Sequence, residues 1–309
     1  MSLLYKIAVT SLAAALRMSF VLLAPALGEA ISEQAGVYNI GVEGYMIMGA
    51  LSAYYGVILT GNLWLGVAIG ILGGMVISLI HAYLSITLKT DQIVNGTGLW
   101  IFCLGFSAFV FRTAGTTVYI KGFSPIQIPV LSELPVIGPV LFQLNILTYL
   151  GFLLIFVVAV ILFRTPFGLL IKATGENPLA VDMAGHNVFL IRYISVLLCG
   201  AMSGLGGAYM SLGVLHRFSE DMIAGRGFIA LCIVLFGNWN PWKIFVGVLL
   251  FSGIDAFQLR MQVMERGIIP YPLLLMLPYI LTLVALSVAV LGKKNPPKGL
   301  FFPYIRGGQ

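Results

Sequence analysis

Charge is what this sequence of 309 residues has least of: 17 basic and 11 acidic side chains make up 9% of it, against about 25% in an ordinary soluble domain. With 60% hydrophobic residues and a mean hydropathy of +1.02, a fold in water would expose a large apolar surface and aggregate. That excludes a soluble enzyme, a nucleic-acid-binding module and a disordered chain. Cysteine is nearly as scarce. Cys103, Cys199 and Cys232 each lie within an apolar run, which argues against a structural disulfide or a metal cluster. His81, His186 and His216 fall in separate segments, so no catalytic or metal-binding constellation is spelled out. The G-x-x-x-x-G-K-[ST] phosphate loop is missing, so this chain does not hydrolyse ATP itself. No polar stretch of domain size is left over either. Residues 1–309 therefore read as a single transmembrane domain, an all-α polytopic membrane protein. The first residues, Met1-Ser2-Leu3-Leu4-Tyr5-Lys6, run into an apolar segment without a small-residue cleavage pattern and read as retained.

What is present is apolar and segmented. A spanning helix needs about 20 apolar residues, and runs occur at 7–27, 40–60, 63–88, 92–111, 146–163, 193–212, 227–238, 243–258 and 269–291. These predict about nine transmembrane helices, with 227–238 too short to cross unless its flanks join it. Two long connections, 112–145 and 164–192, and a tail, 292–309, separate or follow them. Arg164, Lys172 and Arg192 in the second connection and Lys293, Lys294, Lys298 and Arg306 in the tail predict that both are cytoplasmic. Counting back through the spans places the amino terminus outside. The 36 glycines fall mostly within runs, where small residues let helices approach closely in lipid.

A faint repeat is visible. Glu43-Gly44-Tyr45 opens one apolar run and is followed by Gly61-Asn62-Leu63-Trp64. Arg226-Gly227-Phe228 opens another and is followed by Gly237-Asn238-Trp239-Asn240-Pro241-Trp242. An odd number of spans separates the two starts, so the copies would be inverted across the membrane, the arrangement of many transporters, with substrate passing where the copies meet.

Charged residues cluster at few places. Residues 28–44 hold Glu29, Glu33, Asn39 and Glu43 among four glycines, a composition that predicts a broken or re-entrant segment near 28–44. Glu29 and Glu33 read most simply as solvated loop charges. Glu43, at the head of an apolar run, reads as an intramembrane carboxylate and hence a functional candidate. Arg226, between two glycines, is its counterpart in the repeat, and the two could instead pair with each other as a gate. His216 to Asp221 reads as an external loop. Arg17 and Asp255 are further intramembrane charges that could pair with other helices. In the 164–192 connection, Asn177 suits an N-cap, Pro178 the first helical position and Gly185 the residue after a C-terminus. A two-turn helix over 178–184 follows, a rigid knob that a soluble partner could grip.

Four motifs occur in order: 28–44, Asp91-Gln92-Ile93-Val94, 168–187, and Ala224-Gly225-Arg226-Gly227-Phe228-Ile229-Ala230 through Asn238-Trp239-Asn240-Pro241. Together they resemble the permease subunits of ABC importers of the branched-chain amino acid, ribose and nucleoside group, over nearly the whole chain. The first and last resemble the nucleoside subgroup. His186 departs from the small apolar residue more usual there, and the extra first helix of ribose-type relatives is absent. The resemblance implies a multi-pass permease domain in the cell membrane, in contact with lipid, with no catalytic or metal site of its own. It implies a second homologous permease, a cytoplasmic ATPase using ATP-Mg, and a solute-binding lipoprotein or periplasmic protein. By position it implies a translocation path near Asn39, Glu43, Arg226 and Phe228, and ATPase coupling through Gly175, Glu176, Asn177, Pro178, Asp182, Gly185 and Asn187. On the residues themselves an ion-coupled secondary carrier with Glu43 as its coupling carboxylate stays open. So does riboflavin, a sugar or another small nutrient as substrate.

Overall fold

A computed structural model describes residues 3–115, 118–129, 131–134, 137–263, 271–291 and 296–306. Met1, Ser2, Lys293 and Lys294 lie outside the described residues. Among the described residues twelve α-helices follow one another: α1 (Leu3–Gln34), α2 (Val42–Thr60), α3 (Leu63–Ala82), α4 (Gln92–Ala114), α5 (Ile137–Leu141), α6 (Ile146–Arg164), α7 (Pro166–Glu176), α8 (Pro178–Met183), α9 (Val188–Tyr209), α10 (Arg226–Gly237), α11 (Pro241–Val263) and α12 (Tyr271–Leu291). Without water in a bilayer core each segment must bond its own backbone, and the helix does so. Short π-helical turns extend α3 and α9, at Tyr83–Thr87 and Met210–Leu215.

All nine predicted apolar runs fold as helices, but they are not equal. Among the described residues seven helical segments are long and apolar enough to cross a membrane: Val9–Gln34, Val42–Thr60, Leu63–Thr87, Gln92–Ala114, Ile146–Arg164, Val188–Leu215 and Pro241–Met261. The run at 227–238 yields the shorter α10, Arg226–Gly237, and the run at 269–291 yields α12, Tyr271–Leu291, 21 residues long. Asparagine and aspartate write half of the described helix starts. Asn62, Asp91, Asn145, Asn177, Asn187 and Asn240 each accept hydrogen bonds from the first backbone N–H groups that follow them. Each such cap is worth about 1 kcal/mol.

α1 is the axis of the bundle. Residues 18–37 are all buried, save for a half-buried Tyr38 just beyond, and a helix apolar all round belongs inside. It packs against α9, α10 and α11, while α2, α3 and α9 pack on one another beside it. α3, α4 and α6 turn apolar residues such as Leu72, Val76, Ile101, Phe109, Phe156 and Val160 outward. Residues 118–129 of the connection after α4 lie across the end of α9, where Ile120 and Phe123 donate backbone N–H groups to the carbonyls of His216 and Leu212.

Close approach between α2, α3 and α9 is made by glycine. A methyl group at Gly49 would overlap the backbone of Gly204, and one at Gly207 would overlap the Met46 carbonyl. Without a hydrophobic driving force between helices in lipid, such contact is the main adhesive. Gly207→Val should therefore abolish folded protein, read as loss of monodisperse chain in gel filtration after extraction. Gly98→Ala, where nothing lies within 4 Å of the added group, should leave yield and melting temperature unchanged.

Candidate functional site

Glu43 sits in the first turn of α2, 3% exposed, and its carboxylate is spent on another helix. Oε1 accepts the N–H of Gly225 at 2.8 Å and Oε2 that of Gly227 at 2.6 Å. The N-terminus of α10 thus abuts the N-terminus of α2, joined by a carboxylate that α2 carries and α10 binds. Helix N-termini carry unsatisfied N–H groups and partial positive charge, so an anion between two of them is well placed. Glycine is needed here. Gly225 has φ +79°, and a side chain at Gly227 would overlap the Glu43 backbone. Two charge-assisted bonds contribute about 1.5–3 kcal/mol each, against several kcal/mol for burying the ion. The net is small, so what Glu43 chiefly supplies is position.

Arg226 and Glu43 form no ion pair with each other, which removes the gate alternative. Each is committed elsewhere. Arg226 Nη2 donates to Asp255 Oδ2 of α11 at 2.8 Å, with side-chain exposures of only 12% and 14%. Its Nη1 donates to the carbonyls of Ile223 and Met222, tying the 216–225 loop to α11. Phe228, two residues on, meets Trp100 of α4 edge to face with ring centres 5.0 Å apart. The two repeat starts therefore lie side by side, and the copies fold alike. α2 ends on left-handed Gly61 with Asn62 capping α3, and α10 ends on left-handed Asn238 with Asn240 capping α11.

The break expected over 28–44 is shorter than predicted, because α1 continues through Glu29 and Glu33 to Gln34 and the turn occupies 35–41. Neither carboxylate is solvated; both are fully buried, which corrects the loop reading. Glu29 Oε1 accepts the Asn39 N–H at 2.9 Å and Oε2 lies 3.1 Å from the Cys199 thiol. Asn39 is also fully buried, and its Oδ1 accepts the Tyr45 hydroxyl at 2.7 Å. The 35–41 turn thus folds back along its own helix by more than a turn, a re-entrant segment. One turn further, Glu33 Oε2 accepts the Trp239 indole N–H at 2.5 Å, and Gln34 Nε2 donates to the Trp239 carbonyl. The motif Asp91-Gln92 serves the same segment: Asp91 caps α4 and Gln92 Oε1 accepts the Tyr38 N–H. Burial, then the Glu33 and Glu29 carboxylates, push the Tyr38 phenol up.

The 164–192 connection matches its expected helix, Pro178–Met183, with Asn177 accepting the Ala180 N–H at 3.1 Å and Gly185 at φ +86°. Its residues divide by exposure. Glu176, Asn177, Gly185 and Asn187 are exposed, and Pro178 is partly so. Gly175 is buried against the Gln34 carbonyl, and its own carbonyl accepts the Gly299 N–H at 2.7 Å. Asp182 is engaged by the tail, with the Tyr304 hydroxyl and Arg306 Nε each donating to Oδ2 at 3.0 Å. Buried Arg192 donates to the carbonyls of Ala35 and Phe302, so the connection, the tail and the re-entrant turn meet at one end.

Sequence reasoning missed Cys199, Trp239 and Arg192. The available signal was the four-residue spacing of Glu29 and Glu33, which places both on one face of a continuing helix.

The family described as branched-chain amino acid transport system / permease component matches residues 11–289. A Bacillus subtilis guanosine ABC transporter permease protein is 36% identical, with 93% of each chain covered. A Lactococcus lactis nucleoside ABC transporter permease protein is 34% identical over 91% of this chain and 92% of its own. A Haloferax volcanii ABC transporter permease protein, provisionally named for glucose, is 37% identical over 90% and 91%.

Proposed function

From a chain that belongs to the branched-chain amino acid transport system permease component family, we propose that it is the transmembrane permease subunit of an ATP-driven importer of nucleosides. It is a multi-pass membrane protein of apolar helices. The observation that carries the substrate reading is likeness over most of the chain to two permeases named for guanosine and for nucleosides. The relative named for glucose supports a sugar as the second reading. A second homologous permease completes the path, a solute-binding protein delivers substrate, and a cytoplasmic ATPase supplies the energy with ATP-Mg.

In this reading the junction of α2 and α10 is the moving part. Asn39, Glu43, Arg226 and Phe228 stand on or beside the 35–41 turn and the two helix starts, where a small rotation of either copy changes what is exposed. The binding protein supplies affinity, so the path needs few polar groups and some aromatic surface. α8 and the exposed residues flanking it form the ATPase contact, and the tail stiffens α8 from behind through Asp182. A stroke delivered there reaches Gln34 through the Gly175 contact and α1 beyond it. The C-terminus is cytoplasmic in this arrangement.

In membrane vesicles, uptake of labelled guanosine should follow internal ATP and persist when ion gradients are collapsed. Uptake that tracks a proton or sodium gradient instead would make the protein a secondary carrier, and competition by glucose but not by nucleosides would replace the substrate. Gly185→Val forces a β-branched residue to φ +86°, and Asp182→Lys sets a cation against Arg306. Each should lower uptake about tenfold, the loss of about 1.4 kcal/mol of coupling, and reduce co-purification of the ATPase while the chain stays folded. Normal uptake and co-purification in both variants would remove α8 from the coupling role.

A further inference from the structure

Phe301, in the tail, carries backbone strain that the transport reading leaves without a task. Its φ is +71°, in the left-handed region that glycine and asparagine tolerate and a bulky side chain avoids. Phe302 donates its N–H to the Gly299 carbonyl at 3.3 Å, so Phe301 is the third residue of a tight turn, where glycine is usual when φ is positive. Among the described Phe, Tyr and Trp residues, Trp239 at φ +55° is the other one in this region. Trp239 is held there by its indole bond to Glu33 and by Gln34 on its carbonyl. Strain of this kind persists only where the surrounding contacts over-determine it, and in both cases the contact is with the segment 28–44. The Phe301 ring lies on Tyr38 of the 35–41 turn, with ring centres 4.7 Å apart and planes tilted by 48°.

The backbone beside each ring is fastened. Gln92 Oε1 accepts the Tyr38 N–H, and Glu29 Oε1 accepts that of Asn39. In the tail, Gly299 donates to the Gly175 carbonyl, the Phe302 carbonyl accepts Arg192 Nη1, and Tyr304 and Arg306 donate to Asp182 of α8. Tyr304 follows Phe301 by three positions, a reach of about 10 Å in extended chain. The tail is therefore a strap with α8 at one end and Tyr38 at the other, and it bypasses α7 and α1. A glycine at 301 would complete the turn without strain, but it would leave Tyr38 without its neighbour. What the strained position supplies is the ring. We propose that Phe301 is a positioning residue, whose ring on Tyr38 sets the attitude of the re-entrant turn to α8. A displacement of α8 then reaches the turn through the tail as well as through Gly175. The inference rests on the permease reading for what moves α8, whereas the hold of the ring on the turn does not.

The first arm of the test is hydrogen exchange of the 37–40 amides in the full-length chain in lipid. Phe301→Asn suits a left-handed backbone and lacks the ring, whereas Phe301→Tyr keeps the ring. In Phe301→Asn those amides should exchange about fivefold faster, the worth of an aromatic pair. The melting temperature should stay near the native value, because the eased backbone offsets the lost contact, and Phe301→Tyr should match the native chain. The second arm uses the complete importer in vesicles, with its ATPase, second permease and binding protein, and reads substrate taken up per ATP hydrolysed. That ratio should fall about tenfold in Phe301→Asn, within the range by which residues on a coupled path change coupling, with the ATPase still co-purifying. Tyr38→Leu should lower it similarly and the double variant no further, since both remove one contact. Should Phe301→Asn fail to fold, Tyr38→Leu read against Phe301→Tyr carries both arms. Native exchange at 37–40 in Phe301→Asn, or an unchanged ratio, would overturn the proposal. So would loss of ATPase co-purification with exchange unchanged, which would make Phe301 a docking contact instead. Absence of nucleoside uptake by the native complex would overturn the nucleoside reading alone, and the exchange arm would still decide the role of Phe301.

Discussion

One buried carboxylate placed between two helix starts is the constraint on which the centre of this molecule depends. Glu43 belongs to the first turn of α2 and bonds the first N–H groups of α10. α10 is short and apolar, and Gly227 at its start is buried with Gly225 partly so, so those groups have little water to turn to. The arrangement dictates its neighbours. Gly225 and Gly227 must lack side chains for the two backbones to approach, and Arg226, displaced from the carboxylate by its own helix start, turns to Asp255. A bond network of this kind contributes little net stability, because the desolvation of the ion offsets most of the gain. What it specifies is that the two copies of the repeat meet at one place and in one register.

From that junction a continuous set of contacts runs to the end where the 164–192 connection lies. Asn39 returns the 35–41 turn to Glu29, Glu33 and Gln34 grip Trp239, and Gln34 rests on Gly175. Arg192 fastens the same turn to the tail, and the tail holds Asp182 of α8. All of these links but the first join segments far apart in sequence, so the end of α1, the start of α11, the tail and α8 form one packed unit. Contiguity is not by itself evidence of coupling. It does mean that a displacement of α8 has rigid neighbours through which to act, rather than a flexible loop.

The sequence was most legible where structure is local. Apolar runs marked every long helix, since a bilayer permits little else, and the caps of α8 predicted its bounds to within a residue. The meeting of Glu43 and Arg226 segments was legible too, through the repeat. What could not be read was the partner of each charge. Glu29 and Glu33 resemble solvated loop charges until Cys199 and Trp239, more than 150 residues away, supply their hydrogen bonds. Glycine-rich composition likewise hinted at a break from residue 28. Gly28 instead serves close packing of α1 on Cys199, and the helix ends only at Gln34. Gly175 and Asp182 lie in the 164–192 connection but face inward, a distinction that only the tail's position makes.

The central claim, that the Glu43 carboxylate holds the start of α10, is tested most directly by hydrogen exchange of the 225–228 amides in the full chain in lipid. The account predicts slow exchange in the native protein. In Glu43→Gln the side-chain amide offers one acceptor oxygen where there were two, so exchange there should accelerate by about tenfold, the worth of one lost bond, while the rest of α10 stays protected. Native exchange at those amides as fast as in an open loop, or no change in Glu43→Gln, would contradict it.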